Sequence, residues 1–395
     1  MPAQMDVVSV GEILIDFVGL QNCLPLSRVT DFRRAAGGGP ANVAVGVARL
    51  GGRAGFIGKV GQDAFGDYLR NTLQENGVDT CGLLQDKEAH TTLVFATLNE
   101  KAVPEFIFFR HGTADTRLDP DELPRAVLAA SRILHFSSVS LTVEPARSAT
   151  LAAVRIARAA GAIISFDPNL RLSLWPDRET ARENILQAAA QADIIKLNEE
   201  ELAFLTGCPE MAAGIAALLS GKLFSRELSV DGKVLPPRVG SSNTKLAPGS
   251  ESDYFAHDTE VAPVTNTPPF DVAVTSSSIV TKIAPGSRLI AVTRGAAGAV
   301  LAQQGLQVAI PALPVTAVDT TGAGDAFMAG MLTALAGTLE DGPDLTVLEE
   351  KDLYQIGRLA TMAAGLTCTR AGAIPALPTK AEVEEELRRN LSCTL

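Results

Sequence analysis

Asp319-Thr320-Thr321-Gly322-Ala323-Gly324-Asp325-Ala326-Phe327, continued by Met328-Ala329-Gly330 and an apolar helical run, is the most informative stretch of the chain. Small residues just before a helix leave backbone N–H groups free to face a ligand, and the helix dipole adds positive potential there. The turn therefore suits an anion or a developing phosphoryl charge. Asp325, in the first turn, shares that space. Read alone, it could equally be a dipole-stabilising carboxylate beside a glycine-eased turn.

Outward from this block, short β-branched runs alternate with alanine-rich helical stretches, which predicts an α/β fold with a mostly parallel sheet covered by helices. Strands are predicted at 7–10, 55–60, 133–136, 163–166, 194–197 and 289–293. Helices are predicted at 41–50, 65–75, 146–160, 180–190 and 200–205, then from about 324 to 335, 351 to 367 and 381 to 389. Ligands of such sheets bind where strands end and helices begin. The residues to examine are thus Asp167-Pro168-Asn169, Asn198, Thr293-Arg294-Gly295 and the loop 319–325.

Composition narrows the function classes. The chain has 395 residues, is 46% hydrophobic and carries a net charge of −11, too apolar for a disordered chain and too acidic for a generic polyanion binder. No run of about 18 uncharged apolar residues occurs, and the N-terminus lacks a basic region leading into an apolar one. A soluble, unprocessed protein is expected. Its five cysteines are scattered, without a C-x-x-C, and its four histidines lack ligand spacing. That pattern argues against disulfides and zinc and fits a reducing cytoplasm.

Two regions break the alternation. Strand-like stretches at 13–18, 92–98 and 105–109 fall outside any strand–helix unit, the last two joined through Asn99-Glu100-Lys101 as a hairpin. They predict a small accessory sheet. Residues 236–269 hold six of the 22 prolines with many Ser, Thr and Asn, which predicts a mobile surface insertion within about 222–284 rather than a domain.

Taken together, the 319–327 block and Gly37-Gly38-Gly39-Pro40-Ala41-Asn42-Val43-Ala44, with Leu50-Gly51-Gly52 continuing to Gly61, resemble the two signatures of the ribokinase-like, or phosphofructokinase-B, carbohydrate kinases. The likeness is greatest to fructokinases and runs from Ser9 to Pro378 apart from the insertion. It implies a three-layer ribokinase-like fold in a single kinase domain over 1–395, with lid strands at about 13–35 and 91–110 closing over the sugar. It also implies that Asp325 is the catalytic base and that the amides of Gly322, Ala323 and Gly324 through Asp325 form an anion hole. Phosphoryl transfer needs mainly positioning, charge stabilisation and one base.

By the same resemblance the sugar is held by Gly37, Gly38, Asn42 and Asp16, the last in Gly11-Glu12-Ile13-Leu14-Ile15-Asp16. Arg110, ahead of Ala114-Asp115, is lid-proximal and matches a substrate contact. The usual tyrosine before it is Phe109, and Phe108 stands where ketodeoxygluconate kinases have tyrosine. The nucleotide side takes in Asn169 and Arg171, whose planar fork spans two phosphate oxygens, with Asn198 and the segment Thr293, Gly295 and Gly298. Asn198-Glu199-Glu200-Glu201 is also a capping pattern. In the family that N-x-x-E motif organises magnesium through water, at Glu201 here. A potassium site is implied at Asp319 and Thr321 with carbonyls near Arg370 and Gly372, although the serine that often completes it is Ala376.

The expected reaction is ATP- and Mg²⁺-dependent phosphorylation of a sugar, foremost D-fructose to D-fructose 6-phosphate. A 2-keto-3-deoxygluconate kinase, or another sugar or nucleoside kinase, is the alternative within the class. A catalytically inactive kinase fold serving as an interaction subunit is the alternative outside it. The expected partners are sugar and ATP, with no nucleic acid or membrane, and a homodimer as the assembly.

Overall fold

The structure is a computed structural model that describes residues 4–21, 24–98, 104–221, 288–339 and 342–392, with short pieces at 223, 229–230 and 233–234. The chain divides into two compact units, Met1–Ser225 with Ile283–Leu395, and Arg226–Lys282. In the second, the described residues form one antiparallel pair, β11 (Ser229–Val230) and β12 (Lys233–Val234). The rest of the predicted insertion lies outside the described residues.

The first unit is built on a nine-stranded sheet. Its strands are β1 (Met5–Val10), β4 (Ala54–Gly61), β5 (Asp79–Asp86), β8 (Ser131–Ser137), β9 (Ile163–Asp167), β10 (Ile194–Asn198), β13 (Leu289–Thr293), β14 (Ala299–Gln303) and β15 (Leu306–Ile310), in the order β15-β14-β13-β10-β9-β8-β1-β4-β5. All neighbours are parallel except the two antiparallel pairs at the β14 and β15 edge. Successive residues divide between two apolar layers. Val7, Ile133, Ile163, Ile194 and Leu289 face one, while Val8, Leu134, Ile164, Ile195 and Ile290 face the other. Burial on both faces is why these strands read as continuous apolar runs.

The first layer is covered by α1 (Gly39–Arg49), α2 (Ala64–Glu75), α8 (Ala323–Thr338), α9 (Glu350–Cys368) and α10 (Lys380–Ser392). The second is covered by α3 (Arg125–Ala129), α4 (Ala146–Ala159), α5 (Arg178–Ala189), α6 (Glu199–Thr206) and α7 (Met211–Leu219). Small residues let the first group approach closely. A Cβ on Gly46 would lie 2.5 Å from Ala329 Cβ, and one on Gly330 would lie 2.9 Å from Ala360 Cα, so α8 is wedged between α1 and α9. Among the described residues no single helix is long and apolar enough to cross a membrane.

A four-stranded sheet, ordered β3-β2-β6-β7, comprises β2 (Leu14–Gly19), β3 (Phe32–Gly37), β6 (Leu93–Leu98) and β7 (Pro104–Phe109). β2 runs antiparallel to β3 and parallel to β6, and β6 runs antiparallel to β7. The 99–101 turn predicted between β6 and β7 lies outside the described residues. Phe17 stacks on Phe95 at 5.0 Å and Phe109 meets Phe95 edge-on at 5.6 Å. On β7, which lies at the edge, Phe106, Ile107 and Phe109 are exposed.

β1 sits between β8 and β4, so the chain leaves it in both directions along the sheet. That is the switch point at which α/β sheets open a crevice beyond the strand ends. β1 runs on through Gly11-Glu12-Ile13 into β2, so the crevice and the small sheet share one piece of chain.

Candidate active site

α8 starts at Gly322, whose φ of 78° is left-handed and where a Cβ would lie 2.9 Å from Ala373 Cα. Only glycine is unstrained there. Of the next residues, Ala323 donates its amide back to the Thr320 carbonyl at 3.2 Å, while Gly324 and Asp325 open the helix with amides that have no earlier turn to bond to among the described residues. Asp325, in that first turn, accepts a hydrogen bond at Oδ2 from Asn42 Nδ2 at 2.8 Å. The N-terminal and C-terminal glycine motifs are thereby joined across 283 residues. Burial raises the Asp325 carboxyl to about 6 against the pull of Asn42, with Asp167 adding to the rise and Lys196 and Arg171 opposing it. Asp325 is thus poised to accept a proton near neutral pH.

The glycines beside Asn42 are shaped by what they touch. A Cβ on Gly37 would fall 1.9 Å from Asp16 Oδ2, and one on Gly38, at φ 109°, would fall 2.5 Å from the Glu12 carbonyl oxygen. Gly39 donates its amide to Glu12 Oε1 at 3.0 Å, and a Cβ there would stand 2.7 Å from Asn169 Nδ2 and 3.6 Å from Asp325 Oδ1. Asp16, Gly37, Gly38, Asn42, Asn169 and Asp325 therefore meet in one place. Burial pushes Asp16 up to about 7, with Arg171 opposing and Asp325 contributing. Glu12, fully enclosed, is likewise raised to about 7 by burial, against its own backbone hydrogen bond and the charge of Arg110.

Arg110 leaves the end of β7 and is buried. Its Nε lies 2.6 Å from Asp115 Oδ2 and its Nη1 donates to Thr142 Oγ1 at 2.7 Å, while Nη2 is buried without a partner. Asn42 Oδ1 is likewise buried and unpartnered. A buried donor and a buried acceptor left open are costly unless a ligand satisfies them.

On the other side of Asp325, the ends of β9 and β10 supply charge. Lys196 Nζ lies 2.8 Å from Asp167 Oδ2, both side chains being buried. Asp167 Oδ1 also accepts the Asn169 amide at 3.0 Å, bending the chain so that Asn169 adopts φ 37°. Arg171 follows, felt by both Asp16 and Asp325. Asn198 and Glu201 form a reciprocal cap on α6: Glu201 N donates to Asn198 Oδ1 at 2.8 Å, and Asn198 N donates to Glu201 Oε2 at 2.9 Å. Glu201 Oε1 accepts the Leu170 amide at 2.9 Å, so the same carboxylate pins the 168–171 loop.

A cavity of about 460 Å³ opens from the first turn of α8. Thr293, Gly295 and Gly298 line it beside Ala323 and Gly324, and Leu313, Phe327 and Cys368 make it largely apolar, suited to a flat heterocycle. A larger cavity, about 580 Å³, lies at the opposite strand ends around Ser131 and Arg132, and none of the candidate residues lines it. Among the described residues the hydrogen bonds of Asp319 and Thr321 run within their own loop and to the 370–372 turn rather than to Asp325 or Asn42. Asp319 accepts the Thr321 amide at Oδ1, 2.9 Å, and the Gly372 amide at Oδ2, 2.8 Å, tying its loop to the 370–372 turn. Burial would raise that carboxyl, but these bonds hold it below the usual range.

The structure adds Glu12 and Lys196 to the residues that sequence reasoning singled out, and gives Asp167, already marked for its place after a strand, a buried cationic partner. One signal was available for Lys196: a lone charge within the apolar strand Ile194–Asn198 needs a buried partner. Glu12 carried none, because its partner Gly39 is 27 residues away on another element.

Comparisons with known proteins bear on the family and the fold. The pfkB family carbohydrate kinases match residues 4–225 and 254–380, the gap falling inside the predicted insertion. The chain is 37% identical over 385 residues, 97% of each chain, to a protein of Arabidopsis thaliana named probable fructokinase-4. Its fold resembles the ATP-bound fructokinase of Xylella fastidiosa, with a TM-score of 0.74, 28% identity, and 98% of this chain and 99% of the other covered. It also resembles the fructokinase of Vibrio cholerae O395 in its fructose, ADP and calcium ion bound form, with a TM-score of 0.69, 27% identity and coverage of 96% and 98%. With both glycine motifs meeting at Asp325 and the family match spanning most of its length, the chain belongs to the pfkB family of carbohydrate kinases.

Proposed function

We propose that this kinase transfers the γ-phosphoryl group of ATP to the 6-hydroxyl of D-fructose. The observation that carries the reading is the position of Asp325: hydrogen-bonded to Asn42 on the side with the open polar groups, and adjoining the apolar cavity on the other. Fructose would lie among Asp16, the 37–39 glycines, Asn42 and Arg110, where the glycines admit the ring edge and Asn42 Oδ1 and Arg110 Nη2 gain partners. ATP would place its base in the cavity by Thr293, Gly295 and Gly298, and its phosphates by Asn169, Arg171 and Asn198.

As the hydroxyl oxygen bonds to the γ-phosphorus, its proton passes to Asp325 and the bond to the β-phosphate oxygen breaks, leaving ADP. The amides of Gly322, Gly324 and Asp325 would face the charge that develops, the Ala323 amide being taken by the Thr320 carbonyl. Bound Mg²⁺ would neutralise the phosphates, held through water by Glu201 and Asn198. Among the described residues no three His, Cys, Asp or Glu side chains gather into a metal cage, which suits an ion taking most of its ligands from phosphates and water. Asp319, Thr321 and the 370–372 turn offer oxygen donors for K⁺. The four-stranded sheet would close over the sugar and exclude water, and its exposed edge strand β7 supports a homodimer. The described cysteines Cys81, Cys208 and Cys368, all free, support a cytoplasmic setting.

One observation favours a second reading. The open Nη2 of Arg110 would pair well with the carboxylate of 2-keto-3-deoxygluconate. A coupled ADP-release assay across fructose, ketodeoxygluconate, ribose and adenosine is expected to give the highest kcat/KM with fructose. Preference for ketodeoxygluconate would replace the substrate. ATP binding without turnover of any acceptor would turn the reading to a non-catalytic interaction subunit.

A further inference from the structure

We infer that Lys196 is a further positioning residue of phosphoryl transfer, a fixed cation behind the anion hole that favours the ionised, proton-accepting form of Asp325. The inference rests on the kinase reading above and extends it to a residue whose side chain is shut away from solvent.

Lys196 lies in β10, where Ile194, Ile195 and Leu197 are fully buried. A charge there is tolerated only with partners. A purely structural role would need one, and Asp167 Oδ2 at 2.8 Å supplies it. The ammonium reaches further. A Cβ on Gly324 would lie 2.9 Å from Lys196 Nζ, so the bare backbone at Gly324 is what lets the cation sit under the first turn of α8. Burial alone would lower the lysine's pKa, yet Asp167, Glu201 and Asp325 hold it above the usual lysine range.

The charged and polar groups that face Asp325 come from several elements. Asp16 faces it from β2 and Asn42 from α1, Asp167 and Arg171 lie at and beyond the end of β9, and Lys196 is on β10, with Glu201 of α6 acting on Lys196. Asp16 and Asp167 make ionisation of Asp325 harder, whereas Asn42, Arg171 and Lys196 make it easier. Arg171 lies on the loop and is exposed, so solvent screens it. Lys196 is the shielded cation of the set, and its field is screened less than that of a solvent-exposed charge.

The test is kcat against pH from 5.5 to 9 at saturating sugar and ATP for K196M, K196Q and K196R. A carboxyl ¹³C NMR titration of Asp325 in the ligand-free full-length protein accompanies it. In K196M and K196Q the acidic limb is expected to move up by about one pH unit, on the scale of a lost opposite charge. With Asp325 titrating from about 6, the rate should then fall about twofold at pH 7 and about eightfold at pH 5.5, and recover toward pH 9, with little change in the KM for ATP. K196R keeps the charge and should keep the wild-type limb. K196Q can still hydrogen-bond to Asp167, so it serves if K196M does not fold. An unmoved limb and an unmoved Asp325 titration in either folded neutral variant would overturn the inference. The NMR titration needs no turnover, so it decides the role of Lys196 even if no sugar of the panel is phosphorylated.

Discussion

The two flanks of Asp325 are built differently. Toward β9 and β10 the charges are already matched: Lys196 on Asp167, and Glu201 on the amides of Asn198 and Leu170. Toward the small sheet they are not. Asn42 Oδ1 and Arg110 Nη2 are buried and open, and Asp16 is crowded against Gly37. One flank is preorganised for charge before any ligand arrives, which costs no rearrangement at the moment of reaction. Under the proposed function the other would complete its bonding with a polyol in place, which would make it the flank that discriminates between substrates.

The largest effect should come from breaking the joint between the flanks. D325N, which keeps the hydrogen bond to Asn42 possible but cannot take a proton, should lose at least ~100-fold in kcat with modest changes in both KM values. Steady-state kinetics of the purified variant would show it, and a near wild-type kcat would remove Asp325 from the role of base.

G37A attacks the open flank alone. Its new Cβ would fall on Asp16 Oδ2, so the carboxyl must swing away. The KM for sugar should rise by roughly tenfold, about one lost hydrogen bond to a charged group, while the KM for ATP stays put. A matching rise in both would mean that the flanks are not separable.

D16N should trade activity for stability, with a definite sign. The carboxyl is raised from 3.8 to about 7, so between these values the folded state binds the extra proton and stability falls as pH rises. Asparagine does not titrate. D16N should therefore melt higher than wild type at pH 8 and alike near pH 4, while sugar turnover drops. Thermal melts at the two pH values check this, and a D16N that melts lower at pH 8 would contradict it. For the wild type, kcat/KM for sugar should fall as pH drops through 7 and 6, where Asp16 and then Asp325 protonate.

The smallest effect is expected on the matched flank. N198A removes one half of the α6 cap and should cost about 1 kcal/mol in chemical denaturation. If the KM for ATP also rises several-fold, Asn198 serves the nucleotide as well as the helix.

Much of this was legible in the sequence because the central strands are buried on both faces. Ile163–Asp167 is buried throughout and Ile194–Asn198 at all but its last residue, so neither has a solvent-exposed face to blur the pattern. The misses have the opposite cause. β5, with the sequence DTCGLLQD, is a partly exposed edge strand with few β-branched residues, and α7, MAAGIAALL, has no side-chain cap to announce it. In the site, Asp325, Asn42 and the glycines were reached through motif resemblance. Glu12 and Lys196 were not, since their importance is a matter of distance: an amide from another element for one, and a space left by a missing Cβ for the other.

The tight seating of α8 has a consequence for motion. With Gly46 against Ala329 and Gly330 against Ala360, the helix that carries Asp325 has no room to slide or roll without a steric collision along its length. Asp325, the proposed proton acceptor, is therefore held on a closely packed base. On the proposed reading, displacement during a catalytic cycle would fall to the four-stranded sheet, tethered through Gly11-Glu12-Ile13. Changes to that sheet can retune which acceptor is welcomed while the machinery for moving phosphorus stays where it was.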